Sequence, residues 1–193
     1  MTTALLDVLE TPCCRDFATA WMRWRGDEMV PRRRDIELSE IAQYLGWLSV
    51  LEVQSADEMV FRLVGTAINE TRGQELTGRT LRSLSHAEDW PARSRSNMEI
   101  VGHPCGLYFR VLFDYTIGSS AYTEYLCLPV FADADGASGQ VFSIRQPVED
   151  VSLRLPQVQQ DYNEFGEDNC FVDLGNGTPD SKLLGQNNPP LKL

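Results

Sequence analysis

The sequence predicts an α+β fold: a five-stranded antiparallel sheet with helices covering one face, preceded by N-terminal helices. Three observations predict it. A polar turn separates two strand-like runs, WLSVLEV and MVFRLVG; a stretch rich in short helical signals follows; and the last third holds three further runs of alternating apolar residues.

Leu5, Leu6 and Leu9 fit one and a half turns of helix, broken at Thr11-Pro12. In the next segment Phe17, Trp21 and Trp24 recur at spacings of four and three, which places them on one helical face, and Gly26 is a natural stop. Such an aromatic stripe must be buried, either on its own domain or against the same helix of a second chain. The three residues are therefore a candidate interface, and in the second case polar replacements of Trp21 and Trp24 give folded monomers. The segment from Asp27 to Asp35, with Pro31 and three consecutive arginines, reads as extended or turn-like, and Ser39 to Leu45 as a short helix.

After Gly46 the β-branched runs begin. Met59, Phe61 and Leu63 alternate with Val60, Arg62 and Val64 in the second strand of a hairpin. Thr66 is placed to cap a short helix ending at Arg72, and Leu76, Leu81 and Leu84 need cover in a second helix or turn. A longer helix is predicted from about Glu88 to Val101, with Ser85 as cap and Pro91 in its first turn. In GLYFRVLFDY, Leu107, Phe109, Val111 and Phe113 point one way and Tyr108, Arg110 and Leu112 the other. AYTEYLCLPVF and QVFSIRQPV complete a meander, joined through the turn signals Asp135-Gly136 and Gly139. Beyond Val148 the chain is acidic and Gln-rich, and from about Gly175 its composition predicts a disordered tail. The expected organisation is a helical extension over residues 1–45, a domain over 46–147 and an acidic extension over 148–193.

Composition bounds the function. A net charge of -11 repels a phosphate backbone and argues against nucleic-acid binding. The charge is uneven: six arginines stand against three acids between Arg15 and Arg34, while eight acids face Arg154 alone from Gln146 to Asp180. The two regions are solvated faces, or attract each other within or between chains. The N-terminus carries Asp7 and Glu10 where an export signal has basic residues, and no apolar run reaches the ~20 residues of a bilayer span. These features predict a cytoplasmic protein that does not insert into membranes. Five cysteines without paired spacing predict reduced thiols rather than a disulfide framework.

The order of elements and the stretch FRLVGTAINETRGQELTGRTLRSL resemble PAS domains, in particular short stand-alone bacterial ones, where a strand ending in R-L-x-G-T leads to L-T-G-[RK]. Here those positions are Arg62, Leu63, Gly65, Thr66, Leu76, Thr77, Gly78 and Arg79. Trp21, Arg25, Gly26 and Asp27, then Pro31, Arg33 and Asp35, and Leu128-Pro129 extend the likeness over roughly residues 17 to 147. Gly65, Thr66 and Gly78 read as fold residues, supplying a sharp turn and a positive φ. The resemblance implies a sensory or signalling module that contacts another protein or a second copy of itself as a homodimer. It also implies a small ligand or haem as a candidate occupant between helices and sheet.

Arg62, Tyr108, Arg110 and His103 are the candidate cavity residues. The same four would have to supply an acid or base to an enzyme, the least favoured reading. The cysteine motif of flavin photosensors is absent from Thr66 to Val101. His86 and His103 sit near a helix start and in a Gly-His-Pro turn, and His103 with Cys105 gives only a fragment of a metal motif. No phosphate loop, nucleophile elbow or dinucleotide fingerprint occurs, and Glu149 and Asp150 are adjacent rather than convergent. The reading is of a binding module and not an enzyme.

Overall fold

Thr11-Pro12 starts the first long helix because the Thr11 hydroxyl accepts the Cys14 N–H while Pro12 occupies a first-turn position where no N–H is needed. The computed structural model describes residues 4–114, 120–133, 139–148, 167–184 and 188–193. Its helices are α1 (Leu5–Val8), α2 (Pro12–Arg25), α3 (Thr66–Arg72) and α4 (Trp90–Gly102), with short 3-10 turns at Arg33–Asp35, Leu38–Trp47, Leu81–Leu84 and Ser181–Leu184. The strands are β1 (Leu48–Val53), β2 (Met59–Val64), β3 (Gly106–Asp114), β4 (Ser120–Val130), β5 (Gly139–Pro147), β6 (Glu167–Asp173) and β7 (Leu191–Lys192).

All seven strands form one sheet in the order β2-β1-β5-β4-β3-β6-β7. The five expected strands pair antiparallel, with Leu48 opposite Ile144, Leu126 opposite Ile144 and Phe109 opposite Tyr125. Alternation along each strand sends its residues to two different cores. Leu48, Val50, Leu126, Leu128, Phe142 and Ile144 meet the α2 stripe of Phe17, Trp21 and Trp24 on one face. On the other, Leu51, Val53, Leu107, Cys127 and Val141 meet Ile100 of α4 and Leu81.

Helices thus lie on both faces. The cluster from α3 to α4 covers one, as expected, and α2 covers the opposite one. Trp21 is fully buried, its indole N–H donating to the Pro129 carbonyl at 2.9 Å, and Phe17 meets Trp24 edge-on with centroids 6.2 Å apart. The stripe offered as an interface is therefore sealed within its own chain. A helix shows its apolar face to whatever surface lies nearest, and here that is the sheet.

The C-terminal expectation also changes. β6 pairs antiparallel with β3, and β7 pairs parallel with Val172 and Asp173 of β6. Leu184 and Leu191 are buried. Among the described residues of this tail, a few leucines find apolar partners despite the polar average composition, and Asp173 accepts the N–H groups of Gly175 and Gly177. The Asp135-Gly136 turn, Glu149, Asp150 and most of the acidic segment lie outside the described residues. Within that acidic region, Asp168 pairs with Arg110 rather than with the basic N-terminal run.

Two caps differ from expectation. Gly65, not Thr66, is the N-cap of α3, and Asp89 rather than Ser85 precedes α4. Ser85 instead donates to the Leu81 carbonyl and accepts from Arg93. Gly65 is required by close approach: a Cβ there would sit 2.3 Å from the carbonyl oxygens of Leu45 and Gly46. Gly78 is required by conformation, with φ +82 and open space around it. Its N–H donates to the Phe61 carbonyl, while the Phe61 N–H donates to Arg79, extending the pairing beyond the edge strand β2.

Candidate functional site

The inward alternation of β1, β3, β4 and β5 under α3 and α4 leaves a cavity of about 490 Å³. Its apolar floor and sides come from Leu51, Phe61, Ile68, Leu81, Ile100 and Leu107. Its sheet wall is a stack. Phe109 and Tyr125, opposite each other on β3 and β4, lie nearly parallel with centroids 4.6 Å apart. The Arg145 guanidinium from β5 sits 5.4 Å from the Tyr125 centroid and donates to its hydroxyl at 2.9 Å. Ser143, on the same face of β5, donates to the Cys127 sulfur at 3.1 Å.

Helix α4 contributes Arg93, Ser96, Asn97 and Ile100 at spacings of three and four, one helical face. Arg72 at the end of α3, with Gln74 and Arg79 after it, closes the other side; Arg79, Gln74 and His86 are exposed at the mouth. Four arginines therefore border the cavity, and among its described lining residues there is no carboxylate. Burial pushes the Cys127 thiol up to about 11, while the nearby charges of Arg93 and Arg145 pull it the other way.

The residues expected from sequence to line a cavity are placed elsewhere. Arg62 faces solvent on β2 and pairs with Glu52 across the hairpin, its Nε donating at 2.7 Å. Tyr108 and Arg110 point from β3 toward the α2 face. Tyr108 is buried there, its phenol pushed up first by desolvation and then by Glu124, while Arg110 bridges Glu10 and Asp168. His103 follows α4 outside the lining, and its buried Nε2 has no hydrogen-bond partner among the described residues. The expectation chose the polar side of β3, whereas the cavity takes the apolar side, Leu107 and Phe109.

Arg72, Arg79, Arg93, Arg145 and Tyr125 were missed. A signal for one of them exists: in QVFSIRQPV, Arg145 shares strand parity with Val141 and Ser143. The other arginines lie on turns or a weakly amphipathic helix, where parity gives no direction. No group of three metal-ligating side chains gathers among the described residues. Haem would need an axial histidine over the floor, but His86 stands at the mouth and His103 outside the lining, so the histidines do not fit it. All five thiols are buried and unpaired with one another. No helix among the described residues is long and apolar enough to cross a membrane.

The PAS-domain family model matches residues 9–143. Among solved structures, the chain is similar to the PAS domain of a Colwellia psychrerythraea protein, at 12% identity and TM-score 0.40 over 57% of this chain and 95% of that one. It is also similar to the PAS domain of an HTR-like protein from Haloarcula marismortui, at 19% identity and TM-score 0.34 over 60% and 98%. A fungal LOV domain photoreceptor matches at 15% identity and TM-score 0.36 over 52% and 72%. No curated protein matches the chain. With its match extending from residue 9 to 143, the chain belongs to the PAS domain family, a family of sensory and signalling modules.

Proposed function

We propose that the chain is a PAS-type sensor that holds a small ligand between α3, α4 and the sheet and passes the signal on through contact with another protein or a second copy of itself. The cavity carries the reading. At about 490 Å³ it falls in the ~300–1,000 Å³ range of small-molecule sites. It joins an apolar floor to a few converging polar groups, the combination that binds and orients a ligand. α3 and α4 form one wall of it, so occupancy stabilises their packing on the sheet and thereby changes the outer surface a partner meets.

Native mass spectrometry of the freshly purified chain tests this. A bound small molecule is expected, and Ile100→Trp, which fills the floor, is expected to release it while leaving the circular dichroism unchanged. Bare mass in both proteins, together with no thermal stabilisation by any small-molecule class screened, overturns the reading. Sedimentation of the chain with and without ligand reports whether a second copy is the partner.

A further inference from the structure

The cavity is far more cationic than the protein around it. The chain carries a net charge of -11, yet the residues bordering this space include Arg72, Arg79, Arg93 and Arg145 and, among the described ones, no Asp or Glu. A low-dielectric pocket lined by one sign of charge focuses its field on whatever enters, and an anion entering it gains more than it would at an exposed surface.

The arrangement is also directional. Arg145 uses one of its N–H donors on the Tyr125 hydroxyl, leaving a planar guanidinium whose fork suits a carboxylate or phosphate. It is held in place by the Tyr125 ring beneath it and, behind that, by Phe109. Leu107, in the row of Cys127 and Ser143, and Leu51, opposite Val141, lie successively further along the sheet from Arg145, and with Ile100 of α4 they make an apolar, buried part of the lining. One end suits a charged head and the other an apolar body.

We infer that the ligand is a small organic anion, an apolar or aromatic body bearing a carboxylate or phosphate head, with the head on Arg145 and the body on Leu51, Ile100 and Leu107. This rests on the reading of the cavity as the ligand site. Arg79, exposed at the mouth, draws the anion in.

Calorimetry of the full chain with three probes of one shape tests the assignment: 1-naphthoate, 1-naphthyl phosphate and the neutral 1-naphthamide. At least one anion is expected to bind about tenfold or more tighter than the amide, a difference of about 1.4 kcal/mol; which anion wins identifies the head. Arg145→Met is expected to remove that preference while amide binding stays unchanged. Arg79→Met, at the exposed mouth and outside the stacked wall, is expected to weaken the anions a few-fold and spare the amide, with the fold checked by circular dichroism for both variants. Equal affinity for amide and anions, or an equal loss of all three probes in folded Arg145→Met, overturns the anion assignment while the cavity remains a ligand site. Failure of all three probes to bind overturns the anion assignment, while the reading of the cavity as a ligand site stands or falls by the native mass spectrum and the thermal screen.

Discussion

The buried carboxylate of Glu124 on β4 accepts both the backbone N–H and the hydroxyl of Thr11, at 2.9 and 2.6 Å, and so fixes the start of α2 to the sheet. Its other oxygen accepts the Glu10 N–H at 2.8 Å. Glu124 has no exposed surface, so its charge is compensated by these donors at the positive end of the helix.

Glu124→Gln replaces one accepting oxygen with an N–H₂ group that must face either the Glu10 N–H or the N–H and hydroxyl of Thr11. A loss of about 2–3 kcal/mol is expected, in the range for hydrogen bonds to a buried charge. Thr11→Ala, which keeps both backbone N–H contacts, is expected to cost only about 1 kcal/mol, the usual value of an N-cap. Urea denaturation of the two variants checks the order; a Thr11→Ala loss equal to or above that of Glu124→Gln contradicts it.

Trp21 was expected from sequence to be either a core or a subunit contact, and its burial against β4 makes the first outcome the prediction. Trp21→Ala is expected to cost about 3–5 kcal/mol, with the broken bond to the Pro129 carbonyl adding to the cavity. Unfolding is the expected phenotype of a polar residue here. A stable, folded monomer arising from an oligomeric wild type, seen by light scattering, would show the stripe to be an interface after all.

The two glycines of the PAS-like stretch answer differently to alanine. Gly65→Ala drives a Cβ into the Leu45 and Gly46 carbonyls and is expected to cost about 1–3 kcal/mol or more, because backbone cannot swing aside as a side chain can. Gly78→Ala meets nothing and is expected to cost about 1 kcal/mol for its positive φ, where a Cβ crowds the following carbonyl. Thermal melts of the pair distinguish a steric from a conformational requirement, and equal losses refute the distinction.

Burial pushes the thiols of Cys13, Cys105 and Cys170 up to about 12 and that of Cys127 to about 11. A thiol ionises near ~8.5 in the unfolded chain. Below that value both states are protonated and stability is at its full level; above it the unfolded chain releases protons that the folded chain keeps. Stability therefore falls as pH rises from about 8.5 toward the folded values, by roughly 1.4 kcal/mol per pH unit for each such thiol. Melting temperature in a reducing buffer is expected to be level to about pH 8 and to drop beyond it. Iodoacetamide should label the native thiols slowly at that pH and the urea-unfolded ones quickly. A melting temperature unchanged to about pH 10.5 rules this out.

The strands and helices were legible because their signals are local. The parity of Leu107, Phe109, Val111 and Phe113, the spacing of Phe17, Trp21 and Trp24, and the break at Thr11-Pro12 each depend on a few neighbouring residues, and the predicted helices and strands are present among the described ones. The stretch from Arg62 to Arg79 likewise named the family. The site was less legible. Parity separates the two sides of β3 without saying which side carries the cavity, and the polar side, with Tyr108 and Arg110, was the wrong choice once α2 settled over it.

By itself, then, the sequence determined the α+β class, the order of elements, the aromatic stripe and the positive φ of Gly78, all consequences of backbone geometry and short-range periodicity. Tertiary structure alone decided that α2 packs on the sheet face opposite α3 and α4, that Leu184 and Leu191 anchor the C-terminal segment, and that Arg72, Arg79, Arg93 and Arg145 border one space. Those outcomes depend on which distant surfaces meet. A guanidinium on β5 and another on α4 line the same cavity only when the fold brings their elements together.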